Sequence, residues 1–336
     1  MFYSISKQLF EVAPDIKNLN KVWHSCIDWH KFYQSNDDDI EATMDSVWFN
    51  QLSQSDQELY RLAVTDSIQI GDRTGIVKVY IGLTHTAEEA LHYLSSPLKI
   101  VIENSLNDAH FLKSIFKCFR QEAKQISSQI EDRRVIFAMG GGSTIEQVIR
   151  ADMDSFEGSA FPQESHKYLR CLVLLDSDKK YRNEELKVGI TNLVTFLDEH
   201  EICYHILEKR EMENYLPKEA FSEIEANREF IDVYLSLNSE QKDFFDLEKG
   251  FDDINFESLD KNIQELYSDL SPESKTILRK QNLKKFISSD RNDFKNEFPK
   301  LFLSEKVTSA GFISRTKHQS NPNELKDIID KVRKLL

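Results

Sequence analysis

Between Leu98 and Leu207 the chain alternates short, near-continuously apolar runs with longer stretches whose apolar residues recur every three or four positions. The strands so marked are Ile100 to Ile102, Val135 to Met139, Leu169 to Leu175, apolar without a break from Cys171, and Ile202 to Leu207, where only His205 interrupts. Near-continuous apolar runs of this length read as strands buried on both faces, the habit of a parallel sheet covered by helices. The intervening segments read as helices. One starts near Asp108 and carries Phe111-Leu112, Ile115-Phe116 and Phe119 on one face; others begin near Ile145 and run from Glu184 to Glu199. Strand and helix in strict alternation predict an α/β fold: a parallel sheet with right-handed crossovers.

The flanks follow other patterns. Residues 1–96 read as mainly helical, with Ser55 as the predicted cap of a helix through Ala63 and Ser53 as the alternative. Within them Gly75 to Gly82 alternates apolar and polar residues, so it predicts a strand, placed at the edge of the central sheet. Trp23, Trp29 and Trp48 predict an aromatic core, with His24 and His30 on the surface. Beyond Pro217 the pattern is helical and highly charged, closing in an amphipathic stretch from Asn323 to Leu336. Gly250 reads as a helix stop, and Ser289 to Lys300 as a polar, mobile loop. The expected organisation is a helical N-terminal region (1–96), an α/β domain (97–217) and a helical C-terminal region (218–336).

Composition changes this picture in two ways. With 40% hydrophobic and 30% charged residues, and no apolar run near the roughly 20 residues of a membrane span, a soluble, cytoplasmic chain with no membrane partner is expected. The start lacks the basic flank and apolar core of a secretion signal, and the scattered cysteines Cys26, Cys118, Cys171 and Cys203 read as reduced. A formal net charge of −14 opposes autonomous capture of a polyanion. It does not oppose a metal-dependent nuclease brought to its substrate by a partner.

Candidate chemistry sits at the strand ends. Ligands in open α/β sheets collect outside the carboxyl ends of the strands, so two adjacent strands ending in Glu103 and in Asp176-Ser177-Asp178 would surround one crevice with hard oxygen donors. A lone strand-end acid is usually a solvated turn residue or a cap, and an acid pair two positions apart is common. The informative signal is the ordered set: strand-Glu103, glycine-rich turn, strand-Asp176-x-Asp178, then a strand followed by Glu211 and Glu213. Gly140-Gly141-Gly142-Ser143-Thr144 lacks the lysine and spacing of a nucleotide-binding loop, so no ATP site is predicted; a tight turn beside the crevice is. Lys209, Arg210 and Lys249 are the cations considered for a scissile phosphate.

This ordered set, with Glu213-Asn214-Tyr215-Leu216 after the last strand, resembles the TOPRIM domain, in particular the nuclease domain of the overcoming-lysogenization-defect (OLD) family, over roughly Leu98 to Leu216. The resemblance implies a TOPRIM-like sheet and a nuclease using Mg²⁺ or Mn²⁺, two ions in all. It implies Glu103, Asp176 and Asp178 as catalytic metal ligands and Asp108 and Glu213 as further ligands. Lys249 then serves as a catalytic cation, and Gly141, Gly142, Ser143, Lys209 and Arg210 as substrate contacts. Two departures stand out: Asn104 replaces the family's glycine after the first Glu, and Asn107 stands where its acid is usual, with Asp108 one step later. The implied setting is bacterial defence against phage or plasmids, with DNA favoured over RNA, endonucleolytic cleavage, a separate ABC-class ATPase subunit and a homo-oligomer. The competing reading is a catalytically silent binding module.

Overall fold

The computed structural model describes every residue except 28, 72–76, 105–107, 142–143, 155–168 and 280–293. It is an α/β protein with two parallel sheets flanked by helices, dividing into two compact units. The first unit comprises 1–98, 152–170 and 333–336; the second comprises 99–151 and 171–332. Among the described residues no helix is long and apolar enough to cross a membrane. The four cysteines are free thiols.

The first unit contains a three-stranded sheet that the sequence pattern did not announce. Its strands are β1 (Phe2–Ile5), β2 (Lys31–Phe32) and β3 (Val77–Ile81), in the order β2-β1-β3. β3 therefore pairs in parallel with β1, Ser4 opposite Tyr80, and does not edge the central sheet. Gly75 and Ile76, predicted to open that strand, lie outside the described residues. The aromatic core forms around Trp23, Trp48 and Tyr60, all at most 1% exposed and packed edge-on or tilted, but Trp29, expected in it, is only half-buried. His24 is exposed, but His30 is not a surface residue: its Nε2 lies 2.8 Å from the Leu94 carbonyl, and burial lowers its pKa to about 3. The helix Gln54–Ile70 is capped by Ser53, whose hydroxyl accepts from the Asp56 amide; Ser55 is inside it.

The second unit holds the central sheet. Its strands are β4 (Leu98–Ile102), β5 (Val135–Met139), β6 (Cys171–Leu175) and β7 (Cys203–Ile206), in the order β5-β4-β6-β7. β4 and β6 are parallel neighbours, with Ile100 opposite Leu172 and Val101 opposite Val173. β6 continues the sheet to β7, Leu175 opposite Ile206. The inner strands are apolar but for Lys99 because both faces are covered: Ile100, Ile102, Leu172 and Val173 have no exposed surface. Each such side chain contributes roughly 1.5–3 kcal/mol by leaving water. The helix Asp108–Cys118 buries Phe111, Leu112, Ile115 and Phe116, the face its periodicity marked. The helix after β6 begins only at Val188, leaving 176–187 as a connection.

In the C-terminal part, Phe294–Glu297 and Phe298–Leu303 are helical with Phe294, Phe298 and Phe302 buried, so these residues are not the loop their charge suggested. Residues 289–293 lie outside the described set. Gly250 ends no helix; it takes a φ of +62° in a turn whose amide donates to the Asp246 carbonyl. The amphipathic close is the helix Glu324–Leu335.

Candidate functional site

Adjacency of β4 and β6 decides the site. Both strands run the same way, so Glu103 after β4 and Asp176 after β6 emerge at one edge of the sheet. Glu103, Asp176 and Asp178 line one cavity of about 530 Å³, together with Glu146, Lys187 and Met212. The turn after β5 closes on the same edge: the amides of Gly140 and Gly141 donate to the carbonyls of Ile102 (2.8 Å) and Glu103 (3.0 Å). Gly140 cannot be larger, since a Cβ there would lie 2.5 Å from Ile145 Cγ1 and 2.9 Å from Val101 Cγ1.

That bonding corrects the role expected of Gly141. Its N–H is spent on the Glu103 carbonyl, so the residue frames the acid and does not offer its amide to a phosphate. Gly142 and Ser143, the other two predicted contacts of this turn, lie outside the described residues.

The chain leaving β6 is pinned before it reaches Asp178. Ser177 Oγ donates to the Lys209 carbonyl at 2.7 Å, and the Asp178 amide donates to the Arg210 carbonyl at 2.9 Å. Asp178 is held at φ +56°, in the left-handed region where aspartate is one of the few tolerated non-glycine residues. Its carboxylate pairs with Lys187 Nζ at 2.7 Å. Asp176 Oδ1 accepts from the Met212 amide at 3.0 Å, which ties β6 to the helical turn Met212–Tyr215 carrying Glu213. Asp108 opens its helix and accepts from the Asn104 amide at 2.7 Å, so the late position of this acid still brings it to the end of β4.

These acids act on one another. Burial, then the charges of Glu213, Glu211, Asp108 and Glu103, push the Asp176 pKa well above the ordinary carboxylate range. Burial and Glu211 raise Glu213 to about 8. Glu211 rises to about 7, burial outweighing the adjacent Arg210, and Asp108 rises to about 6 through burial and Glu103. Carboxyls crowded this way share protons at neutral pH, a condition associated with catalytic and ligand sites. Their hard oxygens suit Mg²⁺ or Mn²⁺, and a cation would relieve their repulsion. Among the described residues, no three His, Cys, Asp or Glu side chains already converge as a finished cation site.

The basic residues fall differently from expectation. Lys209 is not at the crevice: its side chain is 1% exposed, and its ammonium donates to Asp243 and, at 2.7 Å, to the Arg315 carbonyl. It is satisfied within the protein. Lys249 lines a second pocket, with Arg210, and not the acidic cavity. Arg210 reaches Glu211 at 3.3 Å and Asp246 at 2.7 Å, joining the two places.

Three participants carry no role in the sequence-based site. Glu211 was visible as the acid two positions before Glu213, yet only the structure ties it to Asp176. Lys187 lies on a connection with no periodicity. Lys295, in a segment read as loop, has its pKa raised against burial by Glu248, Glu103, Glu211 and Glu213, so with Arg210 and Lys187 it is among the cations that feel the acidic cluster. No protein-family model, curated protein or solved structure matches the chain.

Proposed function

We propose that this protein is a divalent-metal-dependent nuclease of TOPRIM type, hydrolysing phosphodiester bonds in nucleic acid, with DNA favoured. The observation that carries the reading is the gathering of Glu103, Asp108, Asp176, Glu211 and Glu213 at the carboxyl ends of two adjacent parallel strands, each of the last four with a raised pKa. Glu103, Asp176 and Asp178 would hold Mg²⁺ or Mn²⁺, with Asp108 and Glu213 beside them. A cation held there would supply Lewis-acid chemistry, lowering the pKa of a water and polarising a phosphoryl oxygen. The protein's own part is proton handling and charge: Glu211, raised to about 7, can take a proton from water. Lys295 offsets the negative charge of the phosphate in a field otherwise hostile to it.

The resemblance extends this reading to an effector of anti-phage or anti-plasmid defence acting with a separate ATPase. Asn104 in place of the family's glycine, and Asp108 one step late, support a second reading, a silent binding module that presents its acids to a basic partner.

Cleavage of supercoiled plasmid and of transfer RNA with Mg²⁺ or Mn²⁺ tests the first against the second. Wild type should cleave, and Glu103→Gln and Asp176→Asn should each lose at least about 10²-fold, the usual worth of such groups. Wild type and variants equally inert, with a partner ATPase present as well, would establish the binding module.

A further inference from the structure

Beside the acidic cavity lies a second pocket of about 280 Å³ of opposite character. Lys180, Arg210 and Lys249 supply its charge, and Phe244, Phe251 and Tyr267 its apolar walls. Lys187 lines both cavities, so they share a wall. Asp246 and Asp252 also line the second pocket; Asp246 is engaged by Arg210 at 2.7 Å. Lys180 and Lys249 are exposed, and among the described residues neither ammonium has an ion-pair partner. Lys187 and Arg210 are already paired with Asp178 and with Glu211 and Asp246, so the charge this pocket offers an anionic occupant is that of Lys180 and Lys249, set directly beside the acidic cavity.

We infer that this pocket binds one unpaired nucleotide of a nucleic-acid strand, the neighbour of the phosphodiester presented to the acidic cavity, and so selects single-stranded over duplex substrate. The inference rests on the nuclease reading for the identity of the neighbouring site. Its own grounds are the pocket's chemistry. Exposed lysines at a rim meet phosphates, while aromatic and aliphatic walls meet the face or edge of a base without reading its sequence. A base enters such a recess only when it is out of the stack, which costs little in a single strand and a few kcal/mol in a duplex. The scale of the cavity also fits one nucleotide, being at the small end of ligand pockets.

The test separates the two ideas. Binding of a fluorescent single-stranded 12-mer, and of the same sequence closed into a duplex, is measured by anisotropy on the full-length Glu103→Gln protein with Ca²⁺ present. The single strand should bind at least about fivefold more tightly. Lys180→Glu combined with Lys249→Glu should weaken it at least about tenfold and flatten the slope of log affinity against log salt by about 1.4, two lost phosphate contacts. Both lysines are exposed, so the variant should fold, which circular dichroism verifies. Equal affinity for the two forms, including no binding of either, overturns the assignment, as does a double variant that binds like its parent. Plasmid cleavage by the otherwise unaltered protein in Mg²⁺ is scored separately. Cleavage without strand preference removes the pocket and keeps the nuclease; strand binding without cleavage does the reverse.

Discussion

Lys209 and Glu211 are two residues apart after β7, and each belongs to a buried polar cluster, but the clusters are built on opposite terms. Around Lys209 both carboxylates have counterparts, although Lys209 itself, buried beside Arg315, has its pKa lowered to about 7. Asp243 accepts from Lys209, from Arg315 at 2.9 Å and stands 2.5 Å from His318 Nε2. Glu324 accepts from Tyr215, from the Glu208 amide at 2.8 Å and from Gln319 at 2.8 Å, with His205 at 3.1 Å. Burial works against both carboxylates, yet His318, Lys209 and Arg315 win at Asp243, as His205 and Tyr215 do at Glu324, and both pKa values fall. Around Glu211 and Glu213 burial meets further acids and the values rise. A compensated cluster is a fastening. An uncompensated one, kept at the cost of stability, marks where a ligand is expected.

The largest effect should come from breaking the fastening. Asp243→Ala leaves Lys209 and Arg315 buried without their shared counter-ion, a loss of about 3–5 kcal/mol. Urea unfolding at pH 7 measures it, and a loss below about 1 kcal/mol would mean the cluster is not compensated as described. Tyr215→Phe is milder. It removes the hydroxyl that donates to Glu324 and accepts from the Lys209 amide at 3.3 Å, and should cost about 1.5–3 kcal/mol by the same measurement.

The crevice should respond with the reverse sign. Glu213 has a folded pKa of about 8 against an ordinary 4.5, so its contribution is intact below pH 4.5 and is lost as the pH rises through 8. Glu211 follows through about 7 and Asp108 through about 6. Glu213→Gln should therefore match wild type near pH 4.5 and exceed it at pH 8 by on the order of 2 kcal/mol in metal-free buffer. Mn²⁺ should close that gap by stabilising wild type. Melting curves at the two pH values decide it: a variant less stable than wild type at pH 8 would place Glu213 among the fastenings.

The contrast between the clusters was only half legible in the sequence. β4 and β6 were readable because a strand covered on both faces keeps a nearly unbroken apolar run, Ile100 to Ile102 and Cys171 to Leu175, and their terminal acids came with them. Which way Lys209, Arg210 and Glu211 turn was not, because the chain has left the pleat after Ile206 and alternation no longer assigns faces. The counter-charges of Lys209 come from residues 34 and 106 positions away, Asp243 and the Arg315 carbonyl, and no local pattern reports such pairings. Lys295 was hidden by its neighbours: a run rich in charge reads as loop, although Phe294 and Phe298 anchor it. The N-terminal sheet escaped for a related reason. β1 has four residues and β2 two, too few for periodicity, and their partner β3 lies more than seventy positions from β1.

Lys187 gives the smallest effect and the finest discrimination. Its ammonium pairs with Asp178 at 2.7 Å, but the two side chains are 59% and 37% exposed, so water competes for both. Exposed pairs of this kind are worth about 0–1 kcal/mol, and Lys187→Met should change stability by no more than that. In the compensated cluster a lysine loss takes one of three partners from a buried carboxylate; here it releases a carboxylate that solvent reaches. The predicted consequence lies in ligation. Asp178, released from its partner at the wall between the two pockets, becomes a better oxygen donor, so the variant should need less Mn²⁺ than wild type to reach the same rise in melting temperature. A stability loss of about 3 kcal/mol would instead assign Lys187 to the fastenings, and an unchanged Mn²⁺ requirement would remove Asp178 from the ligand set while leaving Glu103 and Asp176 in it.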